Sequence, residues 1–528
     1  MANVAPQRPN FLNKMTPAEQ ARIAVMRFGL GPRRDQDASL WATPCAAYDQ
    51  CLKELDAPAA ATINSIDLDP AGENYKLLLS PAEAGPLANG QRAVGTNFDQ
   101  ELRARYAKHM LCRVGFVERL AMFWLNHFNM SLASPTVTAY AGLVERQVIR
   151  ANTLGKFETM LLGVCQSIPM LTYLNGRNST RTNTNQNFAR EILELHTVGT
   201  SCEYSANREV DKVRNYEQRD VEALAKVLTG WSVAHNASDA QKYSVPSALI
   251  ANPLAGIHTF VPQLHAPGPQ TVLGKTYAQA GVDQGIAVLK DLANHPLTAQ
   301  HIAREMLCHF VTDTPSDAAV KTLSDTFIAT KGNLKEVARA LLNLEEAWTT
   351  PLNRLRQPYP WFISMMRALN IPHLALTNVA AGDAVTFQDC IEGYLQTLGQ
   401  KPWSWRTPDG FPNRNSYWMN GDALRLRANV AYHFLSRMKA FPMGKGTMII
   451  TTRDGVPDGS KIQDGTLIKP VAQTRSFQWT MPLAVNLVQN VFGNTLSTAT
   501  SARVVEQAKT DNVLALALLF SSPEYLLA

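Results

Sequence analysis

Glu191 and Glu194 stand three residues apart in the run NQNFAREILELHTVG at 185–199, one helical turn if the segment is a helix. Two carboxylates that close rarely both stay ionised near neutrality without a cation or metal beside them. One can keep a proton as general acid while the other serves as base or nucleophile, the division of labour used in glycoside hydrolysis. At about 100° per residue, Asn187, Arg190, Glu191 and Glu194 fall on one arc and Phe188, Ile192 and Leu195 on another. A helix is therefore expected over 187–198 with a core face and a polar row. His196 lies beside Ile192 on the apolar side, so burial would oblige its ring nitrogens to find partners. The plain structural alternative is a solvated face on which Arg190 pairs with Glu194.

Other segments could complete such a site. The stretch LNGRNSTRTNTNQN at 174–187 has no apolar residue after Leu174 and reads as a loop opening onto the polar row, with Asn185 and Asn187 as substrate contacts. Trp403, Trp405, Arg406, Asp409, Phe411 and Trp418 cluster in a second loop-rich segment. Tryptophans interleaved with polar residues stack on sugar rings or flat ligands, although aromatics can equally pin a long loop to the core. Two long loops in one compact domain are costly to order, so 175–187 and 399–418 are expected to meet above the 187–198 helix, with Trp403, Trp405 or Trp418 walling the same cleft as Glu191. Arg425 and Arg427 follow, placed to bind an anionic group or to pair with the glutamates. Asp220, near the start of the next helix, is a further candidate.

A metal-dependent enzyme would draw on His127, Glu191, Glu194 and His265. Their spacing matches no standard ligand geometry, and His127, ending the apolar run FWLNHF, reads equally as a core histidine. No stoichiometric metal and no cofactor are expected. Serine-hydrolase, nucleotide and nicotinamide chemistry have no positive support, since G-x-S-x-G, P-loop, G-x-G-x-x-G and H-E-x-x-H patterns are all missing.

NFAREILELHTVG, then YEQRDVEALAKVLTGW at 216–231, resembles the signature of a large bacterial family known as domain of unknown function 1800. RLAMFWLNHF at 119–128, LHAPGPQTVLG at 264–274, CHFVTDTP at 308–315, GQKPWSWRTPDGFPN at 399–413 and SSPEY at 521–525 follow the same pattern in order. The resemblance spans nearly the whole chain and implies no particular reaction. It implies a context: relatives are often exported and encoded beside a sulfatase-like partner. Where relatives usually read HDxGxK, this chain has His265 followed by Ala266, and Gln270 in place of the lysine, so two charged groups are missing.

The 50 Lys and Arg against 44 Asp and Glu leave a net charge of +6 without a dense basic run, which gives nucleic-acid binding little support. Seven cysteines, at 45, 51, 112, 165, 202, 308 and 390, form no C-x-x-C pair, so no disulfide framework is indicated. Cys112 and Cys165 read as small core hydrophobes. No stretch approaches a membrane span, and the N-terminus carries no signal-peptide pattern. The chain as written is expected to be cytoplasmic, or periplasmic or secreted if it is a trimmed mature form.

The apolar spacing makes the protein mainly α-helical, a large multi-helix domain with small β insertions. Residues 1–97 read as N-terminal helices and an irregular connection over 56–96, and 98–528 as the main helical domain with insertions at 232–280 and 441–480. Helices are expected from Thr16-Pro17 to Gly29, over 37–55, through most of 98–150 with a break at 131–135, and over 155–166, 217–230, 282–294, 297–311, 316–329, 334–344 and 422–439. A hairpin is expected within 446–472. The function these features favour is a hydrolase acting on a carbohydrate or similar polar polymer or small molecule. Glu191 and Glu194 form its acid/base pair, flanked by Arg190 and His196. The alternatives are the metal-dependent enzyme and a non-catalytic scaffold or assembly factor for an exported partner, in which the polar row is a buried network fixing helix packing.

Overall fold

The computed structural model describes residues 8–33, 39–57, 61–63, 98, 101–132, 134–200, 215–233, 259–371, 387–440, 462–463, 466–467, 481–488 and 496–528. Most of the irregular connection expected over 56–96, much of the 232–280 insertion and most of the 446–472 hairpin lie outside the described residues. Helices dominate the rest, and strands pair only in three two-stranded antiparallel sheets among the described residues. One of them, Ile462–Gln463 against Thr466–Leu467, falls inside the expected hairpin. No described helix is long and apolar enough to cross a membrane.

Local chemistry starts and stops the helices. Thr16 and Glu19 form a reciprocal capping box ahead of Pro17–Ile23, which satisfies two main-chain donors that a helix start leaves open. Ser316, Asn333 and Asp511 cap later helices through their side chains. The segment expected to be one helix over 37–55 is two, Ser39–Ala42 and Ala46–Asp56. Within 98–150 there is a second break at 112–115, where Gly115 adopts φ +91° before Phe116–His127 begins.

Two apolar cores hold these helices. The first joins Phe11, Phe28 and Tyr48 to Trp124, Phe157, Trp231 and Trp348, and takes Phe188, Ile192 and Leu193 from the carboxylate-bearing helix. The second joins Tyr106, Trp361, Phe362, Phe434, Phe520 and Tyr525, and takes Trp403, Phe411 and Trp418 from the tryptophan-rich loop. Leu132 packs against both. The two segments singled out for chemistry thus belong to different cores, and they face each other along the seam.

A buried charge network runs through the interior. Arg150 pairs with Glu118 at 2.9 Å and with Glu145 at 2.8 Å, Arg105 pairs with Glu145, and His109 lies 3.1 Å from Glu118. Two guanidiniums against two carboxylates keep the network near neutral, the condition under which buried charges are tolerated.

Candidate functional site

The helix carrying the glutamates begins at Gln186 because the Asn185 side chain accepts the Asn187 N–H at 2.9 Å. It runs as an α-helix over Gln186–Glu191 and then as one π turn over Ile192–His196. A π turn holds an extra residue and displaces side chains from their α-helical bearings, so bearings counted at a uniform angle fail beyond Ile192. Gly199, at φ +68°, ends the segment, and a Cβ there would stand 2.5 Å from His301 Nδ1.

Glu191 and Glu194 are both half-buried. Tyr216 donates its hydroxyl to Glu194 Oε2. Arg190 does not pair with Glu194; its guanidinium reaches Gln218 Oε1 at 3.2 Å. Burial pushes the Glu191 carboxyl up to about 7, with Glu194 and then Asp409 adding negative charge and Arg190 opposing them. A carboxyl that titrates near neutrality can give up a proton on demand.

Asp409 comes from the tryptophan-rich loop, which the Phe116–His127 helix holds in place. Asn126 brackets Phe411, accepting its N–H at 2.7 Å and donating to its carbonyl at 3.0 Å. Asn129 donates to the carbonyls of Trp405 and Thr407 at 3.2 and 2.7 Å. Gly410 fits beneath Asn126 at φ +70°, where a Cβ would lie 2.4 Å from the Asn126 carbonyl oxygen. Asp409 accepts from Trp405 Nε1 at 3.1 Å and Thr407 Oγ1 at 2.5 Å. Across the seam, Tyr173 donates its hydroxyl to the Arg406 carbonyl at 2.6 Å. Asp409 also lines an open groove of about 1250 Å³ with Phe411, Asn413, Arg414 and Tyr417, a size that suits a small-molecule or oligomeric ligand. Glu191 is not among its lining residues; its link to the groove is the Asp409 charge.

Several sequence candidates have structural duties. Trp403 is buried beneath the Arg105 guanidinium at 3.6 Å, and Trp418 is buried with its indole N–H on the Pro412 carbonyl at 2.7 Å. Both pin the loop to the core, and only Trp405 remains half-exposed. Asn185 is the helix cap, and its amide donates to the Leu174 carbonyl at 2.8 Å. Asn187 and Arg406 are exposed. Asp220 caps its own helix and accepts the Leu273 N–H at 2.8 Å, tying that helix to a hairpin. Arg425 is exposed and pairs with Asp422 at 3.3 Å. His265 binds the Thr229 carbonyl at 2.9 Å, and the Ala266 N–H donates to Thr229 Oγ1 at 2.7 Å.

Among the described residues, the group that could share a metal ion is His127, His301 and Glu305, so Glu191, Glu194 and His265 fall outside it. His127 Nδ1 lies 2.7 Å and His301 Nε2 3.6 Å from Glu305 Oε2. Burial raises the Glu305 carboxyl, but His301 and His127 outweigh it and hold the group below its ordinary value. His196 is fully buried with its ring 5.9 Å from that of His127, and neither ring nitrogen has a protein partner. Burial, then His127 and His301, push its imidazole well below the ordinary range. Imidazole and carboxylate ligands suit zinc, iron or manganese.

Sequence reasoning missed Tyr173, Tyr216, His301 and Glu305. The histidine and glutamate at i,i+4 in HIAREM were a readable ligand spacing; nothing local marks the two tyrosines.

Fold and site together define a large, mainly α-helical protein with a half-buried carboxylate pair at the seam of two cores. The chain belongs to the family described as Protein of unknown function (DUF1800), whose model matches residues 23–527. No curated protein and no solved structure matches it.

Proposed function

We propose that the protein is a hydrolase of a carbohydrate or similar polar polymer, with Glu191 as general acid and Glu194 as base or nucleophile. The observation that carries this reading is the Glu191 carboxyl, pushed up to about 7 beside Glu194 and Asp409. The groove lined by Asp409, Phe411, Arg414 and Tyr417 supplies polar and aromatic contacts of the kind sugars take. The test is product release from a panel of polysaccharides and glycosides by the wild type, Glu191→Gln and Glu194→Gln. Turnover that both variants retain at full rate removes the glutamates from the chemistry. Loss of cooperative unfolding in both variants makes the polar row a structural network, as a scaffold would need.

A second reading, a metal-dependent enzyme, is favoured by the His127, His301 and Glu305 cluster. Elemental analysis of protein purified without chelator tests it. Zinc, iron or manganese near one equivalent, lost in His127→Ala, supports this reading, and metal-free active protein eliminates it.

A further inference from the structure

Behind the tryptophan-rich loop lies a cavity of about 380 Å³ lined by Arg27, Arg119, His309, Arg354 and Arg356. Each of these side chains belongs to a buried residue. Their compensation is incomplete. Asp313 pairs with Arg354 at 2.5 Å. Arg27 donates to the carbonyls of Ala347, Thr350 and Pro351, which satisfy donors without cancelling charge. Arg356 donates from Nη1 to Ser364 Oγ at 2.9 Å and leaves Nη2 unpartnered. Arg119 makes no hydrogen bond or ion pair with any described residue; its guanidinium sits 5.5 Å over the Phe310 ring, with a buried Nε unpartnered. Arg27 Nε and His309 Nε2 are likewise unpartnered. Ala528 also reaches the cavity, and no ion pair joins it to these arginines.

Four buried guanidiniums against one carboxylate is an arrangement that folding does not favour by itself, since an unpaired buried charge costs several kcal/mol. Burial, and then Arg356 and Arg354, pull Arg119 down to about 9. The same positive field is available to an incoming anion.

We propose that this cavity binds a small oxyanion, phosphate or sulfate, as a free ion. Guanidinium forks match oxyanion geometry in pairs, and a tetrahedral ion offers four oxygens to donors arriving from several directions. Because the lining arginines are buried, a free ion suits the cavity better than the end of a polymer. Arg354 also donates to the Asn413 carbonyl, His309 lies 3.3 Å from Asn413 Oδ1, and Gln357 donates to the Pro412 carbonyl at 3.1 Å. The bound ion therefore fixes the inner side of the loop whose outer side forms the groove.

The experiment is thermal unfolding of the dialysed full chain in phosphate, sulfate or chloride at constant ionic strength, with calorimetric titration of phosphate. A saturable rise of about 2–4 °C in phosphate and sulfate but not in chloride, lost in Arg119→Gln, is expected. His309→Gln, which keeps the four arginines, is expected to weaken the response and provides the test if Arg119→Gln does not fold. Equal melting in all three salts with no saturable heat overturns the proposal. So does a phosphate response that Arg119→Gln retains in full.

Discussion

The Tyr216 hydroxyl donates to Glu194, whereas Glu191, one turn earlier, accepts no hydrogen bond from any described residue. Glu194 is oriented by a fixed donor, and Glu191 is left to its electrostatic surroundings. The two carboxyls are therefore inequivalent before any substrate arrives.

That inequivalence has a kinetic signature. Glu191 acts as an acid only while protonated, so activity should hold below about pH 7 and fall as the pH rises through that value. Glu191→Gln should lose roughly 10²–10⁴-fold in rate, with a residual activity different from that of Glu194→Gln. A pH–rate profile of the three proteins checks this, and a wild-type profile that is flat from pH 6 to about 8 contradicts the assignment.

Asp409→Asn removes one of the negative charges that raise Glu191. The Glu191 titration should move to lower pH while remaining above the ordinary carboxylate value, because burial, the largest cause, is unchanged. Carbon-13 NMR of labelled glutamate follows it directly. An unmoved titration would mean that Asp409 and Glu191 do not share a site in solution.

In the buried network, burial pushes Glu118 up, but Arg150 and His109 outweigh it and hold the carboxyl at about 2. A folded-state value below the unfolded one contributes stability above the unfolded pKa of about 4.5, which disappears as the pH falls toward 2. Glu118→Gln leaves Arg150 short of a partner and should cost about 3–5 kcal/mol. Denaturant titration at neutral pH measures that loss, and a change below about 1 kcal/mol would show that the network relaxes freely.

Gly410→Ala forces a Cβ against the Asn126 carbonyl, and Asn126→Ala removes both bonds to Phe411. Each change should loosen the 403–411 loop more than the core, giving faster proteolysis within the loop and lower activity at a nearly unchanged melting temperature. Cleavage at the wild-type rate would show that the buried tryptophans alone hold the loop.

The helices were legible where apolar spacing and caps agree, as over Val282–Ala293, Pro296–Phe310 and Asp317–Ala329. The π turn at Ile192–His196 was not, because an apolar pattern with one extra residue still reads as helical. Asp409 and Trp405 were singled out by composition, yet that composition could not separate Trp405 from the buried Trp403 and Trp418. The pairing of Tyr216 with Glu194 spans 22 positions, and that of His127 with Glu305 spans 178. Contacts over such distances depend on which helices pack together, which no local window contains.

The π turn also decides what can move. The Leu195 carbonyl receives His301 Nε2 at 3.0 Å, the His196 carbonyl lies 3.4 Å from His127 Nε2, and the Ile192 carbonyl receives the Thr197 hydroxyl at 2.6 Å. With Asn185 clamping the other end, the segment is fastened at both tips, and the glutamates ride on a span that cannot slide or rotate. Adaptation to ligands of different shape must then come from the opposite bank, where a single hydroxyl-to-carbonyl bond from Tyr173 to Arg406 acts as the latch.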